Sequence, residues 1–383
     1  MEDFHRLLTE VQQIAKTFSN YIPAELRVKS VAPRQQEGPT VKGIRALARH
    51  LDLSIGTVSK ALNGRSDINP ETRKRVLAAA AERGYVANQS GRSLRLGPTR
   101  TVGFMIESNQ AAPTDSDNFF MAVFDGVQSV VRQHHLDLIV LPCASDEDPV
   151  AYLSRMVARG IVDALIISAT RRDDPRVAML AAHNIPFVTL GRTETLEHRW
   201  IELDFEGVAR RSVDRLVERG HRRIAVALPA NDLNLGNLFL DGYRGALDAH
   251  GLAFDPSLAI PTESSEQGGH QLGSRLLAMT PPPTAVVLSY ELPAGGLYRR
   301  LYEAGIPPGE GLAVIGFRDS PQTRHLVPRL TSFTTSLRDL GVALGGALLA
   351  QMPAYSETYR DRPSHMVWPL TLLPGDSDPP LQR

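Results

Sequence analysis

From residue 101 onward, short apolar runs alternate with stretches of helical period. The runs 101–106, 137–141, 164–168, 187–190, 223–228, 284–288 and 312–317 predict strands buried on both faces. Stretches 119–132, 150–159, 206–218, 240–250, 268–279 and 296–304 predict the helices between them. This alternation predicts parallel sheets covered by helices, and so many units exceed one doubly wound domain, so two α/β subdomains are expected.

Ahead of that region the period is helical throughout. Ile44, Leu47, Ala48 and Leu51 make one apolar face, and Asp52-Leu53-Ser54 breaks it. Ser54 is suited to cap a second helix that packs Val58, Ala61 and Leu62 and exposes Ile55, Gly56, Thr57, Ser59 and Lys60. Asn69 and Pro70 start a third, with Val76, Leu77, Ala80 and Ala81 as its apolar face, ending near Gly84. Such a unit fits a DNA major groove, or is a plain helical bundle. Residues 1–39 stand apart: spacing of Phe4, Leu7, Leu8, Val11, Ile14 and Phe18 is helical, but prolines follow. An over-called start, a disordered extension and a small docking helix are the readings open to them, the first two preferred because short isolated helices are weak.

Charge narrows the choice. The chain has 42 Lys or Arg and 42 Asp or Glu. Residues 40–97 carry 11 basic against 4 acidic residues, so the remainder is net acidic. A basic module on an acidic body points to a localised anionic partner. One cysteine, Cys143, allows no intrachain disulfide and reads as a packed thiol, which fits a reducing cytoplasm. No apolar run reaches membrane-spanning length, and no signal peptide is expected.

Motifs for catalysis are missing. There is no metal-ligand spacing, no phosphate loop of the Walker type and no Gly-x-Ser-x-Gly, so neither an enzyme nor a cofactor is expected. His134-His135 reads as a cationic helix end, and Ser145-Asp146-Glu147-Asp148 before Pro149 as a helix cap. Ligands of open α/β sheets sit beyond the carboxyl ends of strands. That rule selects Glu107, Asn118, Phe119, Arg171, Arg172 and Asp173, then Arg192, Asp204, Asn231 and Asp232, and finally Tyr290, Glu291, Arg318 and Asp319.

Thr57-Val58-Ser59-Lys60-Ala61-Leu62-Asn63-Gly64, Asn69-Pro70-Glu71-Thr72-Arg73, Gly84-Tyr85-Val86-Ala87-Asn88 and the following Arg92-Ser93-Leu94 resemble, in order and spacing, the signature of the lactose-repressor/galactose-repressor (LacI/GalR) family of bacterial transcription regulators. The resemblance runs from Thr40 to about Leu373. It implies a helix-turn-helix headpiece at 40–86, a hinge at 87–98 and an effector-binding, dimerising body at 99–383, built like a periplasmic binding protein with the ligand between two α/β subdomains. Segment 330–335 is similar to the family's return crossing, followed by a helix from 337 to about 350.

The implied function is a repressor-type regulator. It would be a cytoplasmic homodimer on an approximately palindromic duplex operator, controlled by a small ligand such as a sugar or glycoside. Ile55, Gly56 and Lys60 would face base edges, with Thr57, Ser59 and Asn63 on phosphates or adjoining bases, and Thr40 and Ser54 would also contact the DNA. In the hinge Asn88 and Arg92 would lie on the DNA and Leu94 would wedge into the minor groove. Phe119, Arg171, Arg192, Asp204, Asn231, Phe239, Tyr290, Glu291 and Arg318 would form the effector site.

The chain departs from the family's pattern where Phe239 replaces an arginine, Tyr290-Glu291 an Asn-Asp pair, and Arg318 an acidic residue. A plain hexose pose therefore does not carry over. A glycoside, a disaccharide or an acidic sugar is expected, with Arg318 either on the ligand or paired to Glu291 or Asp319. Segments 170–176 and 186–192 resemble those of members that answer to glucosides. The rival readings are a regulator answering to a protein partner, and a sugar-binding protein or enzyme on the same fold.

Overall fold

The computed structural model describes residues 44–62, 68–82, 98–107 and 117–381, without the side chains of 44–46, 62, 81–82 and 117–118. The chain divides into two units, Met1–Asn88 and Gln89–Arg383.

The first unit holds helices α1 (Ile44–Leu51), α2 (Ile55–Leu62) and α3 (Pro70–Glu82). Helix α1 stops where Asp52 takes a left-handed φ of 53°. There the Leu53 amide donates to Ala48 O at 3.0 Å and the Asp52 amide to Arg49 O at 3.3 Å, the paired closure that satisfies a helix C-terminus. Ser54 Oγ accepts the Thr57 amide at 3.0 Å and caps α2 as expected. Asn69 Oδ1 accepts the Glu71 amide at 2.8 Å ahead of α3. Leu47, Ala48, Val58, Ala61, Val76, Ala79 and Ala80 form the core. Leu77, expected in that core, is 46 % exposed. The inward face of α3 follows Val76, Ala79 and Ala80 at helical spacing, and Leu77 falls beside it.

The second unit is two parallel sheets with helices on both faces. The first has the order β11-β5-β4-β3-β1-β2, from β1 (Thr101–Glu107), β2 (Asp137–Cys143), β3 (Ala164–Ile167), β4 (Phe187–Leu190), β5 (Trp200–Leu203) and β11 (His365–Trp368). The second has the order β12-β10-β9-β8-β6-β7, from β6 (Ile224–Pro229), β7 (Ala259–Thr262), β8 (Ala285–Leu288), β9 (Ala313–Arg318), β10 (Thr331–Thr334) and β12 (Thr371–Leu373). Among the described strands only β12 runs antiparallel, against β10. Strands β5, β7, β11 and β12 escape the sequence reading because polar or proline positions interrupt their apolar runs.

Each sheet is a packed sandwich. Helices α5 (Pro149–Ala158) and α6 (Pro175–Ala182) cover one face of the first sheet through Leu153, Met156, Val177 and Leu180, against Met105, Cys143, Leu165 and Ile167. Helix α4 (Asp117–Val131) covers the other face with α11 (Leu337–Leu349). On the second sheet, α7 (Phe205–Glu218) and α8 (Asn234–Ala249) lie on one side, and α9 (Glu266–Ala278) and α10 (Pro293–Glu303) on the other. The chain crosses between the sheets after β5, after β10 and after β11, so the C-terminal half returns α11 and β11 to the first sheet.

Two local expectations hold. Asp148 caps α5 by accepting the Ala151 amide at 2.7 Å. Cys143 is 1 % exposed, and burial pushes its thiol above the ordinary range. Past α4, His134 and His135 occupy a helical turn that ends at a left-handed His135, and His134 Nε2 lies 2.9 Å from the Tyr359 hydroxyl.

Candidate functional site

The headpiece presents one side of α2 outward. Ile55 is 46 % exposed, Gly56 and Lys60 are exposed, and Thr57 and Ser59 half-buried, while Val58 and Ala61 are fully inside. Thr57 Oγ1 lies 2.8 Å from Ser54 Oγ, so these two hydroxyls are held together at the helix start. Thr40, Asn63, Asn88, Arg92 and Leu94 lie outside the described residues.

In the second unit the carboxyl ends of both sheets face one cavity of about 360 Å³, where the strand-end rule puts a ligand. Its apolar walls include Phe119 and Phe120 from α4, Phe205 from α7 and Phe317 from β9. Phe205 and Phe317 stack with ring centres 5.0 Å apart. Asn231, Tyr290 and Gln322 supply polar edges, and the Tyr290 side chain bonds to that of Asn231. Burial pushes the Tyr290 phenol up, so it stays a neutral donor.

The cavity's cations are matched by carboxylates. Arg171 donates to Glu107 through Nη1 and Nη2 at 3.1 and 3.0 Å. Its Nε reaches Asp232 Oδ2 on the opposite wall at 3.1 Å. Beneath it Arg176, 1 % exposed, donates to Glu107 Oε1 at 2.6 Å, to both Asp174 oxygens at 2.9 and 2.6 Å, and to Ala169 O at 2.9 Å. Burial pushes the Asp174 carboxyl up, but the bonds from Arg176 outweigh it and leave the group below the usual carboxylate range. Beside this network the Asn234 amide donates to Thr170 O at 2.9 Å, and Asn234 Nδ2 to Arg192 O at 3.0 Å. These bonds join the two walls at the cavity's rim.

Arg318 and Glu291 meet each other. Arg318 Nε sits 2.7 Å from Glu291 Oε1, in ion-pair contact without hydrogen-bond alignment. Its Nη1 donates to Asp319 O at 3.0 Å, and its guanidinium lies 5.4 Å above the Phe119 ring. Two of the positions where the chain departs from its resembled family thus neutralise one another.

Glu202 was missed from sequence. It sits on β5, 4 % exposed, and lines the cavity. Burial pushes its carboxyl up to about 7, against the pull of the Arg192 amide at 3.0 Å and guanidinium at 3.4 Å. Trp-Ile-Glu-Leu reads as a plain alternation, so only the tertiary fold reveals that this carboxylate faces a ligand space.

Of the expected effector residues, Phe119, Arg171, Asn231, Tyr290, Glu291 and Arg318 come together here, with Glu107 and Asp232. Three do not. Phe239 is fully buried behind Phe317, ring centres 6.3 Å apart. Helix α8 begins at Asn234, not at 240, which turns Phe239 from a loop residue into a core-facing one. Asp204 caps α7 through the Gly207 amide at 2.9 Å and pairs with Arg211 at 3.0 Å. Arg192 stands behind Glu202, 5.9 Å over the Trp200 ring. Neither Asp204 nor Arg192 lines the cavity. Arg172 pairs with Glu194 outside, and Asp173 is exposed.

A capped three-helix unit and a body with its cavity between two parallel sheets define a helix-turn-helix regulator with a sensor of the periplasmic-binding type. Residues 44–88 match the family described as bacterial regulatory proteins, lacI family, and residues 213–377 match the periplasmic binding protein-like domain. The HTH-type transcriptional regulator AglR of Rhizobium meliloti (strain 1021) is 33 % identical over 313 residues, 80 % of this chain and 86 % of AglR. RafR of Escherichia coli is 30 % identical over 299 residues, 78 % of this chain and 88 % of RafR. The solved complex of the regulator CelR with cellobiose is 26 % identical, with a TM-score of 0.64 over 87 % of this chain and 99 % of that one. The chain belongs to the LacI family of bacterial regulatory proteins. It is a ligand-controlled, DNA-binding transcription regulator, not an enzyme. No described helix is long and apolar enough to cross a membrane.

Proposed function

We propose that the chain acts as a homodimeric repressor on an approximately palindromic operator, and that a neutral glycoside or disaccharide in the cavity sets its DNA affinity. The observation that carries the ligand class is the charge balance of the walls. Arg171 is matched by Glu107 and Asp232, Arg318 by Glu291, and Glu202 adds a further carboxylate. An anionic sugar finds no unmatched cation among the described lining residues, whereas hydroxyls find acceptors and sugar faces find Phe119, Phe205 and Phe317. The acidic sugar expected as one option is therefore dropped. The cellobiose in CelR supports a ligand of disaccharide size.

The working division is a headpiece at 40–86, a hinge at 87–98 and the sensor body at 99–383, functioning in the cytoplasm. Ile55, Gly56 and Lys60 read bases, and Ser54, Thr57 and Ser59 hold phosphates or adjoining bases. Thr40, Asn63, Asn88, Arg92 and Leu94 complete the DNA contacts. Phe119, Arg171, Asn231, Tyr290, Glu291 and Arg318 surround the effector.

Two measurements test this. Selection from random duplexes yields a two-fold symmetric site, and a monomer bound at full affinity to a single half-site would sink the dimer. Calorimetry finds binding among neutral disaccharides and glycosides and none among uronic acids and sugar phosphates. The reverse preference would sink the neutral-carbohydrate reading.

A further inference from the structure

Resting on the carbohydrate reading above, we propose that Glu202 is a specificity-determining residue of the cavity, its ionised carboxylate accepting a ligand hydroxyl at Oε1. Three observations meet there. The side chain is almost wholly buried yet lines the ligand space. Its Oε2 is occupied by the Arg192 amide at 3.0 Å, while Oε1 has only the Arg192 guanidinium at 3.4 Å. That leaves acceptor capacity at Oε1, since a carboxylate oxygen takes about two donors. The donors already present suit the ionised form.

The charged groups around Glu202 are few. Arg192, from the loop after β4, favours ionisation; Asp204 and Glu206, at the start of α7, oppose it. Its register partner on β11, Val367, is uncharged, as are Thr189 and Leu190 on β4. Across the cavity Glu107, Arg171, Asp232, Glu291 and Arg318 are paired among themselves. With burial pushing it up to about 7, Glu202 is divided between its acid and its anion near neutral pH. A hydroxyl donor selects the anion, so binding expels the acid's proton.

The test is calorimetry on the full chain with the neutral disaccharides cellobiose, lactose and sucrose across pH, in buffers of different ionisation heat. Expected for the wild type is binding about tenfold tighter at pH 8 than at pH 6, with release of about half a proton near pH 7. Glu202→Gln should bind no tighter than the wild type does at pH 6, with no slope, and Glu202→Asp should keep the slope. A pH-independent, proton-neutral affinity in the wild type overturns the proposal, as does an unchanged slope in a folded Glu202→Gln protein. Should none of the three sugars bind the wild type at any pH, the carbohydrate reading falls and this inference with it. Binding without proton linkage removes this inference alone.

Discussion

With its carboxyl pushed up to about 7 in the fold against an ordinary 4.5, Glu202 makes the stability of the unliganded protein depend on pH. A folded-state value raised in this way contributes stability that is fully present below about pH 4.5 and lost as the pH rises through about 7. Replacing Glu202 by Gln removes that loss. The variant's stability relative to the wild type should therefore climb by about 3 kcal/mol between pH 4.5 and 8 in urea melts; a parallel pair of curves would show that the carboxyl titrates normally. Arg318 and Glu291 form the second residue-scale case. Arg318→Met leaves the Glu291 carboxylate half-desolvated and unpaired, and should lower stability by about 1–3 kcal/mol. The double variant Arg318→Met/Glu291→Gln should lose less than the two single losses added together. Additive losses in the cycle would mean that the pair does not interact. On the DNA side, Lys60→Ala should weaken operator binding by about 1–3 kcal/mol and alter preference at one operator position, if Lys60 reads a base. A uniform loss over all sequences with a shallower salt slope makes it a phosphate contact.

At the scale of elements, one crossing fixes the two helices on one face of the first sheet. Helices α4 and α11 touch backbone to backbone: a Cβ on Gly126 would collide with Arg338 O, and one on Gly341 with Val123 O. Those atoms belong to helix backbones and cannot step aside singly. Gly126→Ala should therefore destabilise by about 1–3 kcal/mol, seen as a lowered Tm. It acts on the helix that carries Phe119 and Phe120 into the cavity, so ligand affinity should fall with it. A neutral Tm would mean that α11 can slide away freely. Glycine at both positions is plain in the sequence, but each sits within an otherwise amphipathic helix. Nothing local says that its partner lies more than two hundred residues away.

For the whole molecule, the rim of the cavity is closed by contacts between its two walls: Arg171 to Asp232, the Asn234 amide to Thr170 O, and Asn234 Nδ2 to Arg192 O. Removing Asp232 leaves Arg171 to Glu107 alone. Asp232→Ala should loosen the rim, and native-state hydrogen exchange at the Asn234 amide should speed up while the strands keep their protection. Unchanged exchange would show that the two Asn234 bonds close the rim by themselves. Because effector and operator affinities are coupled through whichever arrangement of the walls each prefers, that variant should also shift the ligand concentration needed to change DNA binding.

Much of this protein was legible in its residue order. Helix caps at Ser54, Asn69 and Asp148, the apolar runs of β1, β2, β3, β4, β6, β8 and β9, and the basic headpiece are local or compositional signals, so they survive without knowledge of the fold. The strand-end rule likewise found Glu107, Arg171, Tyr290 and Arg318, because a parallel sheet puts every such end on one side. Tertiary structure decided the rest. Phe239 went to the core because α8 begins six residues before its expected start. Arg318 became a wall residue because Glu291, just past the end of the neighbouring strand β8, lies within reach. Glu202 became a cavity carboxylate because β5 ends where two sheets face each other. Pairing, burial and the dielectric around a charge depend on residues distant in sequence. The chain alone therefore names the family and the side of the sheets where ligand binds, and only the packed fold sets which charges are matched there and which one still titrates.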